Sequence, residues 1–123
     1  MLPRHAVWML VAGAVALGLT GCEDEEYDHT PPAGQGSLIL DNRSPDDIRV
    51  FINGQATNRL KDYETEAYDM TSGVYRLVLD GEDNDRYGAW DVDVVVGQLT
   101  VVEVMTSDWE WDDYEVSIHL QEP

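Results

Sequence analysis

The sequence predicts a small all-β domain, built as a sandwich of about seven short strands. Two observations predict it: apolar and polar residues alternate through nearly every apolar run after residue 36, and Gly, Asn, Asp or Pro separate these runs. Alternation with a period of two places one face of a strand in a core and leaves the other face in water. We therefore expect one β-domain over residues 37–121.

The first half of this domain carries a clear hairpin signal. Residues 48–52 read Ile-Arg-Val-Phe-Ile, with aliphatic side chains at the even positions and Phe51 on the other face. Asn53-Gly54 follows, and both residues accept the positive φ that a two-residue hairpin turn requires. A strand over 37–41 precedes this hairpin, and a weaker segment around 64–70 comes after it.

The second half alternates more regularly. Gly97-Gln98 predicts a tight turn into a strand over 99–106, and the run from Tyr114 to Leu120 alternates to its end. Two further strands each place one apolar face inward: Tyr75, Leu77 and Leu79 in one, and Trp90, Val92, Val94 and Val96 in the other. With Tyr75, Trp90 and Tyr114 as large core residues, these elements indicate an immunoglobulin-like sandwich.

The N-terminus has the pattern of a secretory signal. Arg4 and the free amine are positive, and residues 6–19 contain no charged side chain. That apolar stretch is shorter than the roughly 20 residues a transmembrane helix needs, but it suits the apolar core of a signal peptide. It leads into Leu19-Thr20-Gly21-Cys22, which resembles the bacterial lipobox, and Cys22 is the single cysteine of the chain.

The lipobox resemblance implies cleavage between Gly21 and Cys22 and a lipid on Cys22. The lipid would be a thioether-linked diacylglycerol, often with an acylated amine, and its acyl chains would be of the palmitate kind. Each buried methylene contributes about 0.8 kcal/mol, so two or more chains hold a protein on a membrane without a spanning segment. The expected location is the bacterial cell envelope, and Glu23 after the cysteine favours the outer membrane in a Gram-negative cell.

The charge of the chain excludes one class of partner. The signal contains one of the seven basic residues and none of the twenty-five acidic ones, so its removal changes the formal charge from −18 to −19. Such a surface opposes nucleic-acid binding, which depends on Lys and Arg. Residues 22–36 are acidic and rich in Pro and Gly, which predicts a disordered tether between the signal (residues 1–21) and the domain.

A second resemblance covers most of the domain. The order Gly36–Leu40, Ile48–Gly54, Ser72–Leu77 and Val94–Gly97, followed by a Val-rich strand, is similar to the PEGA domain. The Pro-Glu-Gly-Ala tetrapeptide itself does not occur, and Ser44-Pro45-Asp46-Asp47 stands near the place of a comparable turn. The resemblance implies a small sandwich in an envelope protein and implies no activity.

An acidic turn between two predicted strands is a candidate calcium site. It reads Asp80-Gly81-Glu82-Asp83-Asn84-Asp85 and offers oxygen ligands, which Ca²⁺ prefers. The EF-hand pattern fails, because counting from Asp80 gives Asp85 at position six and counting from Asp83 gives Val94 at position twelve. A solvated turn is the alternative, since Asp, Asn and Gly suit turn backbones. The candidate ligands are Asp80, Glu82, Asp83 and Asp85.

Two tryptophans form a candidate binding surface. Trp109 and Trp111 stand two residues apart, so on an extended segment they would point the same way. Exposed aromatic rings of this kind stack on sugars or anchor a protein partner. The alternative is that they close one end of the sandwich as part of its core.

The residues do not indicate catalysis. After the signal the chain contains two histidines, His29 in the predicted tether and His119 on the last predicted strand, and no Gly-x-Ser-x-Gly motif accompanies them. We expect a non-enzymatic, lipid-anchored envelope protein whose sandwich binds a protein, a glycan or another envelope component. A calcium-dependent adhesion or carbohydrate-binding module is the alternative, and a hydrolase is a more distant one.

Overall fold

The computed structural model describes residues 27–107 and 113–123, which form eight strands in two sheets. The strands are β1 Gly36–Asn42, β2 Ile48–Ile52, β3 Gln55–Ala56, β4 Thr65–Met70, β5 Gly73–Gly81, β6 Tyr87–Val94, β7 Leu99–Met105 and β8 Glu115–Gln121. The prediction of a small all-β sandwich is confirmed. Within these two described ranges, no helix has the length and apolar character needed to cross a membrane.

The first sheet has the strand order β4-β1-β7-β8, and the second has the order β3-β2-β5-β6. Among the described strand pairs, β1 and β7 are parallel, with Ser37 opposite Leu99 and Asn42 opposite Val104. The carboxyl ends of these two central strands therefore lie at one end of the sandwich. The connections 43–47, 57–64 and 82–86 gather there, and we call this the loop end.

The core lies between the sheets and is almost wholly aliphatic. Burying one such side chain contributes roughly 1.5–3 kcal/mol relative to leaving it in water. Its fully or nearly fully buried members are Leu38, Leu40, Ile48, Val50, Leu60, Leu77, Leu79, Val92, Val94, Val102, Val104 and Tyr114. Tyr75 and Trp90 are half-buried and pack against this group, as the alternation predicts.

The two predicted turns are confirmed. Asn53 and Gly54 have φ values of 50° and 82°, and Ile52 pairs with Gln55, which is a two-residue hairpin. Gly97 has φ 78°, and the N–H of Gln98 donates to the carbonyl of Val95 at 3.1 Å. The inward position predicted for Val96 is wrong: β6 ends at Val94, and Val96 is 51% exposed in the turn.

Candidate functional site

The described part of the predicted tether lies on the outer face of the first sheet. The side chains of Ile39, Leu99 and Val101 point away from the main core and form a second apolar cluster, against which the ring of Tyr27 packs. These three residues alternate with core residues on β1 and β7, so they would face water if nothing covered them. Tyr27 therefore docks the chain onto this face.

A polar network surrounds the hydroxyl of Tyr27. That hydroxyl donates to Oδ2 of Asp41 at 2.5 Å. Arg43 donates to the same carboxylate at 3.0 Å and to Glu103 at 3.2 Å. Burial, and next the hydrogen bond to Asp41, raise the pKa of Tyr27. The phenol therefore stays protonated and remains a donor at every physiological pH.

His29 makes a second attachment. Its Nε2 lies 2.7 Å from Oδ1 of Asp69, and the hydroxyl of Ser37 donates to the same oxygen at 2.7 Å. The hydrogen bond from His29, and next that from Ser37, lower the pKa of Asp69. The carboxylate is thus held ionised between His29, which follows Tyr27 in the chain, and Ser37 on β1.

The prediction of a disordered tether up to residue 36 is therefore wrong for residues 27–35, which we call the docked segment. Its composition is that of a linker, but two of its side chains find specific partners on the sheet. The sequence did contain a signal. Tyr27 and His29 alternate within the acidic run, and β1 and β7 carry apolar residues on both faces.

A nearly buried charge network ties the loop end together. Nη1 of Arg86 lies 3.0 Å from Oδ2 of Asp46, and these side chains are only 13% and 10% exposed. The hydroxyl of Tyr114 donates to the same Asp46 oxygen at 2.9 Å. Burial, and next the hydrogen bond to Asp46, raise the pKa of Tyr114. The network joins the 43–47 connection, the 82–86 connection and the residue that precedes β8, so its first role is structural.

An acidic cleft of about 370 Å³ opens beside this network. Its wall includes Asp62, whose N–H donates to Oδ1 of Asp47 at 3.0 Å. The wall carries four aspartates and one arginine, Arg86, which is already paired with Asp46. The excess negative charge attracts counter-ions of the other sign, so this end of the molecule suits a basic group. The lining residues are Pro45, Asp46, Asp47, Asp62, Asp83, Asn84 and Arg86.

The structure places the candidate calcium ligands in separate surroundings. Asp80 pairs with Arg49 at 3.1 Å, and Glu82 pairs with Arg59 at 3.1 Å. Asp83 lines the acidic cleft, and Asp85 is exposed. Across residues 27–107 and 113–123, no three His, Cys, Asp or Glu side chains are grouped in a way that could hold a metal ion.

The remaining candidate residues have different positions. His119 lies exposed on the outer face of β8, opposite Val101. Gly21 and Cys22, the predicted cleavage and lipidation site, and Trp109 and Trp111 lie outside the described residues.

The open edge of the sandwich beside β8 was not foreseen from the sequence. Ile118 and Leu120 lie on the inward face of β8, yet they are 41% and 54% exposed. The hydroxyl of Thr100 donates to the backbone carbonyl of Asp93 at 2.6 Å, which joins β7 to β6. Val116, in the first half of β8, packs against the core, so the exposed part of the inward face is the second half of the strand. A second cleft of about 370 Å³ lies there, and Val95 contributes to its wall.

These features define a class of protein: a small all-β domain with a docked N-terminal segment and an open sheet edge. No family model matches the sequence, and no curated protein matches it. Among solved structures, the chain is similar to the N-terminal domain of AlgF from P. aeruginosa. The TM-score is 0.50 and the sequence identity 11%, and the match covers 75% of this chain and 98% of that one. At that identity the similarity shows a shared fold.

Proposed function

We propose that this chain is a lipid-anchored protein of the bacterial envelope whose non-catalytic β-sandwich is held close to the membrane and binds an envelope component there. The observation that carries the proposal is the position of Tyr27. It packs onto the outer face of the first sheet only five residues after Cys22, the residue that the lipobox marks for acylation.

The docked segment sets the distance between lipid and domain. Five extended residues span at most about 18 Å, whereas the fourteen from Cys22 to Gly36 would span at most about 50 Å if none were docked. Tyr27 therefore changes a long tether into a short one. The outer face of the first sheet, which carries the docked segment, is the face nearest the lipid.

The charge of the domain supports a binding role at that position. A mature chain with a formal charge of −19 is repelled by anionic headgroups, so the lipid supplies the attraction to the membrane and the protein surface does not. The acidic cleft at the loop end suits a basic side chain of a protein, or a basic group of another envelope component. The resemblance to PEGA-type modules supports the same placement in the envelope.

Metabolic labelling tests the anchor. Cells expressing the chain are grown with radioactive palmitate, and the membrane fraction is compared for wild type, Cys22→Ser and the conservative lipobox variant Thr20→Ser. We expect label on wild type and on Thr20→Ser, both at the mature mass. We expect Cys22→Ser to remain an unlabelled precursor. Label on Cys22→Ser, or an unlabelled wild-type chain, would contradict the proposal.

A further inference from the structure

The open edge of the first sheet has the composition of an interface. β8 is the last strand of that sheet, and no described strand pairs with its outer side. An edge strand offers unpaired N–H and C=O groups to another strand, and natural proteins usually protect such an edge with charges. Between Val116 and Leu120, however, β8 carries no carboxylate, although the chain has twenty-five.

The other long edges differ from β8. β4 carries Glu66 and Asp69, and β6 carries Asp91 and Asp93. Two copies of a chain with this net charge would meet like charges at either of those edges, and like charges directly opposite each other are destabilising. β8 also has exposed apolar side chains on its inward face. Neither these side chains nor the lack of carboxylates identifies the molecule that covers the strand.

The sequence of β8 favours a second copy of the chain as the partner, because the strand is able to pair with itself. If two copies pair antiparallel about Ile118, the apolar face meets the apolar face: Ile118 lies opposite its counterpart, and Val116 lies opposite Leu120. On the outer face, Ser117 lies opposite His119, which is a pair able to form a hydrogen bond. All five residues from Val116 to Leu120 find a compatible partner.

This register also separates the acidic side chains of β8. Each Glu115 lies at one end of the ladder, six positions from its counterpart, and at about 3.4 Å per residue that is about 20 Å. This distance exceeds the screening length of about 8 Å at physiological salt. We infer that β8 is a dimer interface, through which a second copy of this chain extends the first sheet from four strands to eight.

Disulfide trapping tests the inference on the full-length chain in its membrane. Because acylation consumes Cys22, an introduced cysteine is the only free thiol. Opposite residues of an antiparallel pair have Cα atoms 4.5–5.5 Å apart, within the range that a disulfide bridges. With a mild oxidant, we expect Ile118→Cys to run at twice the monomer mass and Glu115→Cys, on the same strand but about 20 Å from its counterpart, to stay monomeric.

A third variant tests whether the trapped species depends on the strand edge. Leu120→Lys places a charge on an exposed position, so it should leave the circular dichroism spectrum of the folded chain unchanged and abolish trapping when combined with Ile118→Cys. Each other result would overturn the inference: a monomeric Ile118→Cys chain, equal trapping of both cysteine variants, trapping that survives Leu120→Lys, or a product whose mass is not that of two copies.

The wild-type chain separates this inference from the proposed function. It should give no crosslink, because its only cysteine carries lipid. A crosslinked wild-type chain would show that Cys22 is a free thiol, which would count against the anchor. In the Ile118→Cys variant, peptide mapping of the crosslinked product would still show whether residue 118 is joined to its counterpart.

Discussion

The docked segment gives the most informative perturbation, because two variants of Tyr27 separate its hydroxyl from its ring. Tyr27→Phe removes the donor to Asp41, while Arg43 continues to donate to that carboxylate. A hydrogen bond to a charged group contributes roughly 1.5–3 kcal/mol, and because Tyr27 is only partly buried we expect about 1 kcal/mol. The open population of the segment should then rise about fivefold.

Tyr27→Ala also removes the ring from Ile39, Leu99 and Val101. Replacing a buried aromatic side chain with alanine costs roughly 3–5 kcal/mol, so a half-buried ring should contribute about 2 kcal/mol. The two losses together come to about 3 kcal/mol, which is more than a hundredfold increase in the open population (about tenfold for each 1.4 kcal/mol).

Hydrogen exchange measured by mass spectrometry on residues 27–35 reads this opening directly. The N–H groups of His29 and Gln35 both donate to backbone carbonyls, so their exchange reports whether the segment is ordered. Tyr87→Phe, at an exposed tyrosine, is the matched control and should leave the exchange unchanged. If residues 27–35 of Tyr27→Ala exchange at the wild-type rate, Tyr27 does not hold the segment on the sheet.

Three further predictions concern the loops and the pH dependence. Asp46→Ala leaves its arginine partner nearly buried and unpaired, so it should lower the free energy of unfolding in urea by about 3–5 kcal/mol, whereas exposed Asp85→Ala should change it by less than about 0.5 kcal/mol. Burial raises the pKa of Tyr114 above its ordinary 10.0, so the stabilisation that its protonated hydroxyl contributes is complete below pH 10 and is lost as the pH rises further. Tyr114→Phe should therefore make the decline in the free energy of unfolding at high pH shallower. Because Asp80 and Glu82 already pair with arginines, millimolar Ca²⁺ should not raise the melting temperature, and a saturable rise would restore the calcium alternative.

Much of the fold could be predicted because its signals are local. Asn53-Gly54 dictates a hairpin through backbone conformation alone, and the alternation of Leu77 with Leu79 and of Val92 with Val94 identifies the buried faces. Neither inference depends on which strands are neighbours, which is why both hold in the structure.

The features that matter for function depend on tertiary contacts. Asp46 and Arg86 are 40 residues apart, and nothing in either segment indicates that they pair. The alternation of β8 predicts an inward face correctly, but the exposure of Ile118 depends on how far the second sheet extends. The docking of Tyr27 could not be predicted for a different reason. Its acidic, Pro-rich surroundings have the composition of a linker, and composition does not show that a single side chain docks on the sheet.

The height of the domain above a bilayer shows whether the docked segment holds the sandwich close to the membrane. Neutron reflectometry on the acylated chain in a supported bilayer should find the wild-type protein layer beginning within about 18 Å of the headgroups. For Tyr27→Ala the layer should be broader and extend further out, up to the limit of about 50 Å for the full tether. A wild-type layer as distant and as broad as that of Tyr27→Ala would show that Tyr27 does not shorten the tether.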